Sequence, residues 1–134
     1  MKRKYVLDAG VLALYFAGRR DAKAYIDAAY TGRADVFMCE VNVAEFLYNY
    51  ARVFGWEAAL TKHALLRNSP ITIVSADESL TVKAAELKLR HYEKLSLADC
   101  YLLALAGLVK GTVVTTDSRI EDVAEVPVVL LPLE

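Results

Sequence analysis

Several things are scarce in this sequence, and each scarcity removes a class of protein. Cysteine is one: Cys39 and Cys100 are the only two, too few for a disulfide scaffold and too far apart for a Cys-x-x-Cys metal knuckle. Both are expected to be reduced core residues. Long apolar runs are also missing. The longest, Val11 to Ala17 and Cys100 to Val109, fall well short of the roughly 20 residues that cross a bilayer. Met1-Lys2-Arg3-Lys4 begins like a secretory leader, but the stretch behind it carries Asp8 and has no small-residue cleavage site. A cytoplasmic location is therefore expected. Charge of one sign is weak as well. The net charge is −1, with 10 basic and 7 acidic residues in positions 1–67 (+3) against 6 and 10 in positions 68–134 (−4). That balance excludes a polybasic nucleic-acid glove while leaving room for a basic rim beside an acidic site.

What is present is apolar. Hydrophobic residues make up 56% of the 134-residue chain, above the average of about 45–50%, and the length suits a single domain over 1–134 that builds its own core. Five short β-branched segments alternate with helical patterns: Tyr5 to Asp8, Val36 to Cys39, Ile71 to Val74, Thr112 to Thr115 and Val126 to Leu131. Such strands are apolar throughout instead of alternating, which predicts a parallel sheet covered on both faces. The helices are expected at Ala22 to Tyr30, Val41 to Phe54 with Gly55 as C-cap, Trp56 to Leu66, Leu80 to His91 and Leu97 to Val109. The last is apolar except for Asp99 and is expected to be central and buried. The expected fold is α/β, in three layers, with four to five parallel strands.

Four carboxylates sit where a solvated charge is out of place. Asp8 ends Tyr5-Val6-Leu7, Glu45 lies within Val43-Ala44-Glu45-Phe46-Leu47, Asp99 is the sole charge in Leu95 to Leu103, and Asp117 follows Val113-Val114-Thr115-Thr116. Three have a local reading. Asp8 and Asp117 can each cap a following helix, and Ser96-Leu97-Ala98-Asp99 matches a capping box. Glu45 has none, because it falls in the second turn among apolar neighbours, and a cation is its expected partner. If the four converge, repulsion forces some to take up protons unless a metal ion neutralises them. An all-oxygen donor set suits Mg²⁺ or Mn²⁺ and disfavours zinc. Such an ion shared by Asp8, Asp99 and Asp117, with Glu45 at a second or outer position, can serve phosphodiester hydrolysis.

At this point the residues resemble a known family. Asp8-Ala9-Gly10 after the first strand, the lone Glu45 after the second, Ser96-x-x-Asp99-Cys100 opening a late apolar helix, and Thr115-x-Asp117 after the fourth strand together resemble the PIN domain. Within it the likeness is to the single-domain toxins of VapBC toxin–antitoxin pairs, over roughly Lys4 to Leu131. The resemblance implies a Mg²⁺- or Mn²⁺-dependent endoribonuclease, usually a homodimer, held in check by a small antitoxin whose tail fills the active-site groove. It places Asp8, Glu45, Asp99 and Asp117 on the family's acidic positions and Thr115 on its threonine. Two positions depart from the pattern, Gly10 where a small polar residue is frequent and Cys39 where serine is. Arg19, Arg20 and Thr115 are the candidate RNA phosphate contacts, with a solvated loop as the alternative for the arginines. Phe46, Tyr50, Phe54 and Trp56 mark the candidate dimer helices. Two other readings compete: a non-catalytic PIN-like module binding RNA or protein, and a phosphoacceptor receiver domain using Asp77. The second lacks the paired acids after strand one and the lysine near the last strand that it needs.

Overall fold

The structure is a computed structural model and describes residues 2–133. Five strands, β1 (Arg3–Leu7), β2 (Ala34–Cys39), β3 (Thr72–Val74), β4 (Thr112–Thr115) and β5 (Val128–Leu130), form one sheet in the order β3-β2-β1-β4-β5. Every pairing is parallel. The helices are α1 (Ala9–Phe16), α2 (Arg20–Tyr30), α3 (Glu40–Phe54), α4 (Trp56–Arg67), α5 (Glu78–Arg90), α6 (Leu97–Val109) and α7 (Ser118–Val123).

Alternation along the strands divides the core in two. Leu7, Val36, Met38 and Val114 face one cluster with Leu12, Ile26, Phe46 and Leu66 of α1 to α4. Val6, Cys39 and Val113 face the other, with Leu80, Ala84, Leu102, Leu105 and Ile120 of α5 to α7. The result is the expected three-layer arrangement, in which strands buried on both faces must be apolar at every position. Because consecutive segments lead from β1 to β2 on one side while β4 joins β1 on the other, the chain order reverses between β1 and β4. In open α/β sheets that switch point opens a crevice at the carboxyl edge, where ligands bind.

Local chemistry explains most element ends. Gly55 closes α3 with φ +93°, a backbone shape that glycine adopts without a Cβ clash. Gly111 must stay bare for a different reason: a Cβ there would stand 3.0 Å from the Lys4 carbonyl oxygen. Several boundaries differ from expectation. The first strand ends at Leu7, and Asp8 instead caps α1. The last strand is confined to Val128–Leu130, since Pro127 has no N–H to give a ladder and instead accepts from Val113 N at 2.9 Å. Helix α6 is buried only through its middle, Cys100 and Leu102 to Ala106, with Leu97 52% and Leu108 58% exposed.

Candidate active site

The crevice collects the four acids, and three of them are there because they start helices. Asp8 follows β1 and is tied to β4 by its own N–H, which donates to Val114 O at 3.1 Å. Its Oδ1 accepts from Val11 N at 3.0 Å, capping α1. Its Oδ2 accepts from the Thr115 hydroxyl and, at 3.4 Å, from Thr116 N. Asp99 is the third residue of α6; its Oδ2 accepts from Ser96 N at 3.0 Å while its own N–H donates to Ser96 Oγ at 3.1 Å. Asp117 caps α7 through Arg119 N at 2.9 Å. Capping and clustering are thus one arrangement: helix N-termini converge on this edge, and their dipoles favour negative charge there.

Thr115 is the hinge of the group. It is wholly buried at the end of β4, its hydroxyl donating to Asp8 and accepting from Asp117 N at 3.0 Å. Thr115 thereby joins two of the acids. Thr116 also contributes. A Cβ on Gly10 would lie 2.5 Å from Thr116 Oγ1, so the space that a polar side chain at position 10 would claim is filled by this hydroxyl.

The electrostatics are those of crowded acids. Asp8 is 7% exposed; burial pushes its carboxyl up, the hydrogen bonds from Thr115, Val11 and Thr116 oppose this, and the charge on Asp99 adds to it. Glu45, in the second turn of α3 and half-buried, is pushed up by burial and then by Asp99, Asp8 and Asp117. No basic side chain forms an ion pair with Glu45 among the described residues. Partial solvent contact makes that tolerable where full burial would not. Asp117 differs. The Arg119 guanidinium grips it with Nε at 3.1 Å and Nη2 at 2.8 Å, which holds its carboxyl below the usual range.

Whether a metal suits these residues turns on the donor set. All four side chains offer hard oxygen, they repel one another, and Arg119 is the sole cation paired within the group among the described residues. No three acidic, histidine or cysteine side chains among the described residues are arranged to close around one ion, because Asp99 and Asp117 are turned onto their own helix ends. That is compatible with Mg²⁺, which keeps several waters and takes one or two carboxylates directly. The donors fit the ion, with water completing its shell.

Other expected contacts fall differently. Arg19 is committed to the chain itself: its guanidinium donates to the carbonyls of Pro132 at 2.8 Å and Leu133 at 3.2 Å and pairs with Asp21 at 2.7 Å. It also stands beyond the far end of α1 from Asp8. Arg20 is exposed at the first position of α2, without an ion pair among the described residues. Cys39 and Cys100 are free and buried, as expected. Asp77 is an exposed cap of α5, donated to by Leu80 N at 3.0 Å, which gives the receiver-domain reading no acidic pocket. Phe46, expected at an interface, is 1% exposed and belongs to the core. Two residues of the site escaped the sequence reading. Arg119 was legible only as the second residue after a capping aspartate, and Asn42 as the one polar residue of Val41-Asn42-Val43, one turn before Glu45.

Fold and site define an α/β protein with an acidic crevice at its sheet switch point. The PIN domain family model matches residues 5–126, so the chain belongs to the PIN domain family. Comparison with curated protein sequences gives no match. Among solved structures, a chain of VapBC2 from Rickettsia felis, crystallised with a DNA fragment from its promoter, superposes with TM-score 0.76 at 14% identity over 95% of this chain and 98% of that one. Mycobacterium tuberculosis VapC20, described as a Sarcin-Ricin loop cleaving toxin, gives 0.70 at 17% identity over 89% and 93%. DNA-bound VapBC from Salmonella typhimurium gives 0.72 at 15% over 95% and 97%.

Proposed function

We propose that this protein is a divalent-metal-dependent endoribonuclease and the toxin of a toxin–antitoxin pair, acting in the cytoplasm. The observation that carries the reading is the convergence of Asp8, Glu45, Asp99 and Asp117 at the β1–β4 switch point of a PIN domain. Asp8, Asp99 and Asp117, directly or through water, with Glu45 at a second or outer position, are the residues that would hold Mg²⁺ or Mn²⁺. When bound, the ion supplies Lewis acidity at the scissile phosphate. Thr115 orients Asp8 and the backbone of Asp117 through its single hydroxyl. Single-stranded RNA suits the open edge, since an unpaired strand can lie across it, and Arg20, exposed and without an ion pair among the described residues, is left as a candidate phosphate contact.

The structural relatives include toxins complexed with antitoxins, and two features support the same partner here. A groove of about 260 Å³ lined by Ala9, Gly10, Ala13, Phe46, Tyr50 and Phe54 runs beside Asp8 and accepts an apolar helix. A basic residue carried by that helix would find the acid cluster next to it. A roomier cavity of about 490 Å³ between α5, α6 and the segment after α7 touches none of the acids. No helix among the described residues is long and apolar enough to cross a membrane.

The test is incubation of purified protein with total RNA, with and without Mg²⁺, alongside Asp99→Asn. Cleavage requires the metal and is lost in the variant. Cleavage indifferent to both identifies a contaminant, and no cleavage under any metal supports the binding-module reading instead.

A further inference from the structure

Asn42 is an expensive residue for its place. It lies 1% exposed in the first turns of α3, between Val41 and Val43, where asparagine is a weaker helix former than leucine or alanine. Its Oδ1 is buried with no hydrogen-bond partner among the described residues, and a buried acceptor left unpaired costs stability. A side chain that serves only the fold would not be asparagine here.

The other half of the amide explains what the residue does. Its Nδ2 donates at 3.2 Å to the carbonyl oxygen of Ala98, across to α6 and 56 positions along the chain. That carbonyl lies inside the first turn of α6, where the helix itself provides a donor four residues on, so it does not need the asparagine. Ala98 immediately precedes Asp99, and Asn42 precedes Glu45 by three residues, which puts both on one side of α3. The hold of Asn42 on Glu45 is through α3, which carries both residues one turn apart. One side chain therefore ties α3 to the start of α6, one turn from Glu45 and one residue from Asp99, whose charge opposes ionisation of Glu45.

We infer that Asn42 is a positioning residue that holds α3 against the first turn of α6, fixing the spacing of Glu45 and Asp99 in the acid cluster. Without it, α3 is free to shift from the start of α6 and to carry Glu45 away from Asp99, as repulsion favours. The inference rests on the metal-site reading of the crevice. It also accounts for the orphaned acceptor, since local rules are broken where a site needs a fixed geometry.

The experiment is calorimetric titration of Mn²⁺ into wild type, Asn42→Leu, Asn42→Ala and each substitution combined with Glu45→Gln, with the melting temperature of each protein. Leucine has nearly the shape of asparagine, and alanine demands no space, so alanine carries the test if leucine does not pack. The expected result is about 10- to 100-fold weaker Mn²⁺ binding, with Asn42→Leu melting no lower than wild type. In the Glu45→Gln background the effect of Asn42 disappears, because Asn42 acts through Glu45. Wild-type affinity in both single variants overturns the inference alone, as does a loss that persists undiminished in the Glu45→Gln background. Absence of Mn²⁺ binding in wild type overturns the inference and the metal reading together.

Discussion

Replacing Asp8 by asparagine separates what the acid does for the fold from what it does for the site. In the wild type three donors serve this carboxylate: Val11 N at 3.0 Å, the Thr115 hydroxyl, and Thr116 N at 3.4 Å. Asparagine is as good a helix cap as aspartate, so its oxygen keeps the bond from Val11. Its amide then faces Thr115, which can turn to accept, and Thr116 N, whose long bond is lost at a cost of roughly 1 kcal/mol. Against that loss stands removal of a charge that burial and Asp99 both oppose. The net expected at pH 7 is a gain of about 0.5–2 kcal/mol, the common range for relieving a functional site. For a chain of this length that raises Tm by roughly 2–8 °C. The pH dependence follows from the direction of the shift. Asp8 has its folded-state pKa raised, so its favourable contribution is complete below the unfolded value of 3.8 and is lost as pH rises through the folded value. The advantage of Asp8→Asn is therefore present at pH 7 and fades toward pH 4, as Asp8 takes up a proton in the native state. Urea unfolding of both proteins at the two pH values measures it. An asparagine variant less stable than wild type at pH 7, or a gain of equal size at pH 4, refutes the reasoning.

Two more expectations concern charge and assembly. Arg119→Ala removes the guanidinium that grips Asp117 at 2.8 and 3.1 Å, so Mn²⁺ binding in calorimetry tightens a few-fold with little change in Tm; unchanged affinity shows that the arginine does not compete for the carboxylate. Val53, Phe54 and Trp56 are 73%, 62% and 56% exposed on adjoining turns of α3 and α4, an apolar patch suited to a twofold dimer. Light scattering should give a dimer mass that Trp56→Glu halves, and a monomer mass for wild type across about two decades of concentration rejects this interface.

Periodicity and punctuation in the sequence were enough to place the five strands and five of the seven helices, leaving α1 and α7 hinted at only by the capping residues Asp8 and Asp117, and the reason is local. Unbroken apolar strands such as Val113-Val114 exist only where both sheet faces are covered, and Gly55 or Ser96-x-x-Asp99 end and begin helices through contacts within a few residues. The four acids were legible for the same reason, as charges in apolar surroundings. Their convergence was not, because it depends on β4 pairing with β1 while α3 and α6 meet above the edge, contacts between positions remote in the chain. Tertiary structure alone assigned Arg19 to the carbonyls near the carboxyl terminus and sank Phe46 into the core. It also gave Asn42 its hydrogen-bond partner, which lies 56 residues away. A sequence carries the propensity and polarity of each residue; which buried polar group finds which partner is settled only when the helices pack.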